Sequence, residues 1–243
     1  MPDVMPTKQS HSKRGAGYKL WFDLTVLILA HLLLFPLWAL IWTVIPTLIW
    51  LEDRGPVFYR QKRVGKNGRI ITIVKFRTMV LDADRKGPAW TTDGDPRVTR
   101  FGKILRKSAL DELPELLSIW KRDMSLVGPR ALDVEEEHAL EQQIPGFEGR
   151  LEVLPGLTGL AQIYDRTDDA HDKFRYDLEY LDRMSPWLDM RLLVLSLLNT
   201  LGARWDRRGG KAKTDWELQV PDVDTLTASS RHPVESATEP KDG

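Results

Sequence analysis

The stretch LTVLILAHLLLFPLWALIWTVIPTLIWL, residues 24–51, carries no Asp, Glu, Lys or Arg in 28 positions. A run of that length and apolarity exceeds what a soluble core helix uses and predicts a membrane segment. As one straight helix it would reach about 42 Å, beyond the roughly 30 Å of a bilayer's hydrocarbon core. Pro36 stands near its middle, where a proline removes a backbone hydrogen bond and predicts a break. Both flanks are basic, with Lys13, Arg14 and Lys19 before the run and Arg54, Arg60, Lys62 and Arg63 after it. Basic flanks favour the cytoplasmic side. The expectation is therefore a proline-broken re-entrant helix over 20–51 that enters and leaves by one leaflet, with a plain span as the alternative that would leave one basic flank on the wrong side.

Working outward, residues 1–19 are polar, lack the form of a cleaved signal peptide and read as a cytoplasmic arm. After the apolar run, GPVFYRQKRVGKNGRIITIVKFRTM (55–79) alternates around Gly65-Lys66-Asn67-Gly68 and predicts a β-hairpin. Residues 82–100, rich in Gly, Pro and Asp, read as a loop. Helical stretches are expected over 110–121 and 132–143, joined by RDMSLVGPR, with turn formers around the short apolar run of LPGLTGLAQIYDR (154–166). Phe174 to Trp205 is helical in pattern, with a break at Ser185-Pro186. Its second half is apolar around most of its circumference, suited either to the membrane interface or to packing against a core. Beyond Gly209, the polar tail over 209–243 reads as disordered. The fold class expected is α+β and mostly helical: a monotopic membrane protein with a cytoplasmic domain over 52–208, one hairpin and interfacial amphipathic helices.

The formal net charge is zero, from 35 Lys/Arg and 35 Asp/Glu, but the charges are unevenly spread. From Arg54 to Arg130 stand 18 Lys/Arg against 8 Asp/Glu, a net of +10; from Ala131 to Asp189, 5 against 15, a net of −10. A basic half beside an apolar segment suits an anionic membrane surface or a phosphate-rich ligand. Two solvated faces that neutralise each other on folding are the alternative. With no cysteine, disulfides, thiolate catalysis and Cys-based zinc sites are excluded, and the five His form no metal-ligand spacing. No recognised motif or aromatic-interleaved basic patch indicates a nucleic-acid partner.

The chemistry is sought in LRKSALDELPELLSIW (105–120). Ser108, three residues before Asp111, resembles a capping box, and acidic residues favour a first helical turn in any protein. Pro114 argues for a start nearer Leu110 or Asp111, because proline is tolerated only in the first turn. Asp111 and Glu112 then sit at the positive end of a helix dipole, where phosphate is also accepted. They point about 100° apart, so one can attack or hold a metal while the other handles protons. Around them stand Lys75 and Arg77, on one face at the end of the second hairpin strand, Arg106, and Arg130 in the Gly-Pro-Arg turn. Carboxylates among such cations are what phosphoryl transfer to a carboxylate nucleophile requires, with Mg2+ expected through a carboxylate and substrate phosphates.

In their order, Arg63-Val64-Gly65 through KFRTM (75–79), SALDELPEL (108–116), RDMSLVGPR (122–130) and PGLTGLAQ (155–162) resemble the bacterial sugar transferase family, the small monotopic polyprenol-phosphate phosphoglycosyl transferases, over about Lys19 to Leu201. The resemblance implies an enzyme that transfers sugar-1-phosphate from a UDP-sugar to undecaprenyl phosphate and releases UMP. It implies a place at the cytoplasmic face of the bacterial inner membrane, among membrane lipid, at the first step of surface glycan assembly. Asp111 matches the family's nucleophile, which forms a phosphoglycosyl-aspartate and shares its carboxylate with Mg2+; Glu112 matches an assistant in proton handling or site ordering. Lys75, Arg106 and Arg130 match the family's basic positions, to which Arg77 is added as a phosphate-binding candidate from the hairpin face. Thr158 and Gln162 join Arg166 as nucleotide- or sugar-binding candidates.

The sequence departs from the family's pattern at two single positions and in one segment. Phe35 stands where Ser usually precedes the helix-breaking proline, and Ala131 where the second proline of Pro-Arg-Pro is usual. Leu160-Ala161-Gln162-Ile163-Tyr164-Asp165-Arg166 replaces the common Trp-Ala-Gln-Val-Asn-Gly-Arg, so the identity of the sugar is not carried over from a relative. A homodimer is left open. The rival reading is a membrane-anchored scaffold without turnover, which has no need of an intact Asp111-Glu112 pair.

Overall fold

The apolar run is two helices in the computed structural model of the chain, which describes residues 16–85, 95–165 and 169–202. α1 covers Lys19–Leu33 and α2 covers Phe35–Asp53, with Leu34 (φ −108°, ψ 19°) between them. Pro36 does not interrupt a helix midway, as the sequence suggests. It stands in the first turn of α2, where its missing N–H costs no helical bond. Phe35 brings no hydroxyl to this break; Trp38 instead returns its indole N–H to the Ala30 carbonyl (3.2 Å) and stacks on His31 at 4.9 Å. Among the described residues, α2 is the one helix long and apolar enough to cross a membrane.

Both arms of this pair return to the same folded body. At the start of α1, Lys19 Nζ donates to the Val127 carbonyl (2.6 Å) and to Tyr180 Oη (3.0 Å) and pairs with Asp189 (2.7 Å); Tyr18 also donates to Asp189 (2.8 Å). One turn on, the fully buried Asp23 accepts from the Leu126 N–H (3.3 Å). At the end of α2, Asp53 pairs with Arg77, and Glu52 accepts from the N–H groups of Arg100 and Phe101. Ile45 and Ile49 join Phe76 and Leu105 in a buried apolar cluster. The turn between the arms is open: Leu33 is 76% and Phe35 69% exposed.

The expected hairpin is present as β1 (Phe58–Val64) and β2 (Ile70–Phe76), antiparallel, with Tyr59 opposite Lys75. Asn67 (φ 55°) and Gly68 (φ 76°) make the reversal, as such turns demand. Strand alternation puts the buried Ile71 and Ile73 on the same inward face as Lys75. α3 (Arg100–Ser108) follows where the sequence suggests the end of a loop. Gly102 and four cations obscure its apolar pattern, yet Thr99 caps it by accepting from the Gly102 N–H (3.0 Å). Gly102 is needed because α3 lies directly on β2's extension: a Cβ there would fall 2.2 Å from the Thr78 carbonyl oxygen.

The helix expected over 110–121 is a 3₁₀-helix, Leu110–Glu115, followed by α4 (Leu116–Trp120). RDMSLVGPR and LPGLTGLAQ hold a parallel strand pair, β3 (Ser125–Val127) and β4 (Gly156–Thr158), so close that a Cβ on Gly156 would meet Gly128 N at 2.0 Å. α5 (Val134–Gln143) lies between the two strands in sequence, and α6 (Leu160–Tyr164) follows β4. α7 (Ala170–Arg183) and α8 (Pro186–Leu201) meet at the expected break, where the Ser185 hydroxyl caps α8. α8 fits both readings made of it: Asp189 and Leu192 are buried, while Trp187 (80%) and Leu201 (75%) are exposed. The arm up to residue 15, Arg166 and the 209–243 tail lie outside the described residues.

Candidate active site

Asp111 and Glu112 are presented by an abrupt turn. Ala109 ends α3 with φ 54°, a left-handed conformation that costs a residue with a Cβ on the order of 1 kcal/mol. Ser108 belongs to the helix before this turn: its hydroxyl donates to the carbonyls of Ile104 and Leu105, so it is not the cap of Asp111. Leu110 and Leu113 pack on the Phe76–Leu105 cluster and Pro114 is fully buried, which fixes the turn from below. The helix starts at Leu110, as Pro114 requires, but it is a six-residue 3₁₀-helix. Its dipole is correspondingly short, and side-chain charges carry the local field.

Lys75 reaches this turn from β2, with Nζ 2.8 Å from Glu112 Oε1 and 3.1 Å from Glu115 Oε1. Arg130 approaches Glu112 from the loop after β3, at 2.9 Å from the same oxygen. Arg106, one turn before Asp111, donates from Nε to Thr78 Oγ1 at 2.9 Å. Three carboxylates (Asp111, Glu112 and Glu115) thus stand among three cations (Lys75, Arg106 and Arg130). Glu115 is an addition to the residues expected; its signal is its place three residues after Glu112, on the same side of a 3₁₀ turn.

The neighbours separate the two adjacent acids. Burial, and next the charge of Glu112, push the Asp111 carboxyl up to about 6, against the opposing charges of Lys75 and Arg106. Burial acts on Glu112 as well, but Arg130 and Lys75 outweigh it and hold Glu112 below the usual carboxylate range. Burial raises Glu115 against the pull of Lys75. Lys75 itself is lowered by burial but raised further by Glu112 and Glu115, so it stays charged. Glu112 is consequently a fixed anion bridging two cations, which suits ordering of the site better than proton transfer near neutrality. Asp111 forms no ion pair among the described residues, and its carboxylate is suited to attack an electrophilic phosphorus or to bind a divalent cation.

The remaining candidates are placed elsewhere. Arg77 follows the end of β2 and pairs with Asp53 of α2, so it fastens the apolar arm and does not join the carboxylate cluster. Thr158 is buried on β4, and its hydroxyl has no hydrogen-bond partner among the described residues. Gln162 donates to the Leu157 carbonyl (3.3 Å), and its own side-chain oxygen is buried without a partner among the described residues. β4 runs beside the Arg130 loop, with Gly156 N–H donating to the Pro129 carbonyl (2.8 Å). Arg166 lies outside the described residues. Among those described, no cluster of three or more His, Asp or Glu is arranged to hold a metal. A divalent cation, if held here, would have Asp111 as its one protein carboxylate.

Residues 14–203 match the model of the bacterial sugar transferase family. The chain is 38% identical over 184 residues to a UDP-N-acetylgalactosamine-undecaprenyl-phosphate N-acetylgalactosaminephosphotransferase of Aeromonas hydrophila, covering 73% of this chain and 44% of that protein. It is 37% identical to a UDP-glucose:undecaprenyl-phosphate glucose-1-phosphate transferase of Xanthomonas campestris pv. campestris, over 73% of this chain and 38% of the relative. An exopolysaccharide production protein of Rhizobium leguminosarum bv. phaseoli is 38% identical, over 72% of this chain and 88% of the relative. The chain therefore spans less than half the length of the first two relatives and most of the third.

Proposed function

The chain belongs to the bacterial sugar transferase family, and on that premise we propose that it transfers sugar-1-phosphate from a UDP-sugar to undecaprenyl phosphate, releasing UMP, in the first step of surface glycan assembly. The observation that carries this reading is the contrast at one turn: Asp111 without an ion pair, beside a Glu112 held by Lys75 and Arg130. An Asp111 oxygen attacks the β-phosphorus of the donor; the O–P bond forms as the bridging P–O bond breaks, and UMP leaves with the electron pair. A phosphate oxygen of the lipid then attacks the same phosphorus and returns the carboxylate. Arg106 and Arg130 stabilise charge on the transferring group. Because three carboxylates already balance three cations, an incoming diphosphate meets no excess positive charge. Mg2+ held by Asp111 and the donor phosphates would supply it.

The membrane arrangement supports a re-entrant pair at the cytoplasmic face of the inner membrane. Both arms end in the same body, and the Leu34 turn lies about seven residues beyond Leu27 on one arm and Ile41 on the other. Seven helical residues are roughly 10 Å, a third of the hydrocarbon core. Trp21 and Trp187, 72% and 80% exposed, stand at the first turns of α1 and α8, beside the Lys19–Asp189 pair. Exposed tryptophans suit the interfacial layer that flanks the hydrocarbon core. Such a shallow seat brings a lipid phosphate and Asp111 to one depth. Purified protein incubated with a panel of UDP-sugars, Mg2+ and undecaprenyl phosphate should release UMP with at least one donor and stop on chelation; no UMP from any donor would refute the reading.

A further inference from the structure

Arg130 is aimed at Glu112 by a loop whose successive carbonyls are all held. Pro129 accepts from Gly156 N–H (2.8 Å), Ala131 from Arg63 (3.2 Å) and Leu132 from Val64 N–H (3.0 Å). The carbonyl of Arg130 itself accepts from the guanidinium of Arg150. Arg150 is 3% exposed and uses its other nitrogens on two carboxylates: Nη1 donates to Glu137 at 2.7 Å and Nε to Asp177 at 2.8 Å. Phe147 covers the guanidinium, 5.2 Å from ring centroid to Cζ. One planar group is thereby fixed by α5, α7 and the Arg130 loop, from its own place in the 3₁₀-helix Phe147–Glu152.

We propose that Arg150 is a positioning residue for Arg130: anchored by Glu137 and Asp177, it fixes the Arg130 carbonyl and so the direction in which Arg130 reaches Glu112. Stability alone is a poor reason for this arrangement, because a buried ion triad is often no more stable than apolar residues of the same volume. One Glu137 oxygen is even left buried without a hydrogen bond among the described residues. Burial raises Glu137 to about 7 and raises Asp177 too, each against the charge of Arg150, so the anchor carries well under one net negative charge around neutral pH. A guanidinium offers three differently directed bonds in one plane; an ammonium cannot reproduce that fork.

The inference rests on Arg130 acting at the reacting phosphate, and its test separates the two. In full-length protein, Arg150→Met is expected to lower kcat/KM for the UDP-sugar by roughly 10- to 100-fold, with Arg150→Lys showing a smaller loss if the methionine variant does not fold. In an Arg130→Gln background the same change should cost about twofold or less, since the group being aimed is gone. Equal losses in both backgrounds, or a loss matched by a lower folded fraction with KM unchanged, would overturn the proposal. Amide hydrogen exchange over 125–133 reads the pin without turnover: it should be faster in the Arg150 variants than in wild type, and unchanged exchange refutes the pin even if no donor is ever found.

Discussion

Asp111 and Glu112 are neighbours in the chain, and what separates them is the company their oxygens keep. Glu112 spends its charge on Lys75 and Arg130, whereas Asp111 is desolvated with no ion pair among the described residues. The folded value of Asp111, about 6, lies above its ordinary 3.8, so charge at this position costs stability above pH 6 and nothing below about pH 4, where both states are protonated. Asp111→Asn should abolish transfer in the presence of Mg2+, yet in metal-free protein raise the unfolding free energy by on the order of 1–2 kcal/mol at pH 8. That gain should fade towards pH 4. Denaturant titrations with chelator at pH 8, 6 and 4 check this; a variant no more stable at pH 8 would contradict the desolvation. Lys75→Met should act oppositely, costing on the order of 3 kcal/mol at pH 8 by leaving Glu115 without its cation, and less at low pH as the carboxylates protonate. The same titrations read it. Asp111, Glu112, Lys75 and Arg130 are legible in the sequence because their types and order suffice. The diversion of Arg77 to Asp53 is not, since it depends on where α2 ends in space.

α1 and α2 are joined at Leu34, and their far ends are tied by Lys19–Asp189 and Arg77–Asp53 to one body. Gly17 precedes α1 and Arg60 follows α2, and both are exposed. In this cysteine-free chain, Gly17→Cys and Arg60→Cys should each react with a membrane-impermeant maleimide only when the cytoplasmic side is opened. Labelling of the two from opposite sides would mean that α2 spans. The apolar run and the hairpin are visible in the sequence because each sustains its period over many residues. β3 and β4 are three residues each, too short for any alternation to show, and they pair residues 31 positions apart in the chain. α3 is hidden by Gly102, a helix breaker in isolation that is required here by contact with Thr78. The 3₁₀ character of 110–115 follows from Ala109 turning left-handed, a choice the sequence does not announce.

The molecule carries exposed apolar side chains at the Leu34 turn and on the outer face of α8, and a set of balanced, largely half-buried charges around Asp111. Within the acidic half, Glu137 and Asp177 meet one arginine, Arg150, which in turn holds the carbonyl of Arg130 at the end of the basic half. In the proposed mechanism Asp111 carries the phospho-sugar between the two substrates. This step is tested most directly by intact-protein mass spectrometry of the purified chain mixed with a UDP-sugar and Mg2+ but no lipid acceptor. The expected result is a mass gain of one phospho-sugar with one UMP released per chain, discharged by undecaprenyl phosphate and absent from Asp111→Asn. Turnover retained by Asp111→Asn, or UMP release that begins only when the lipid is added, would contradict it.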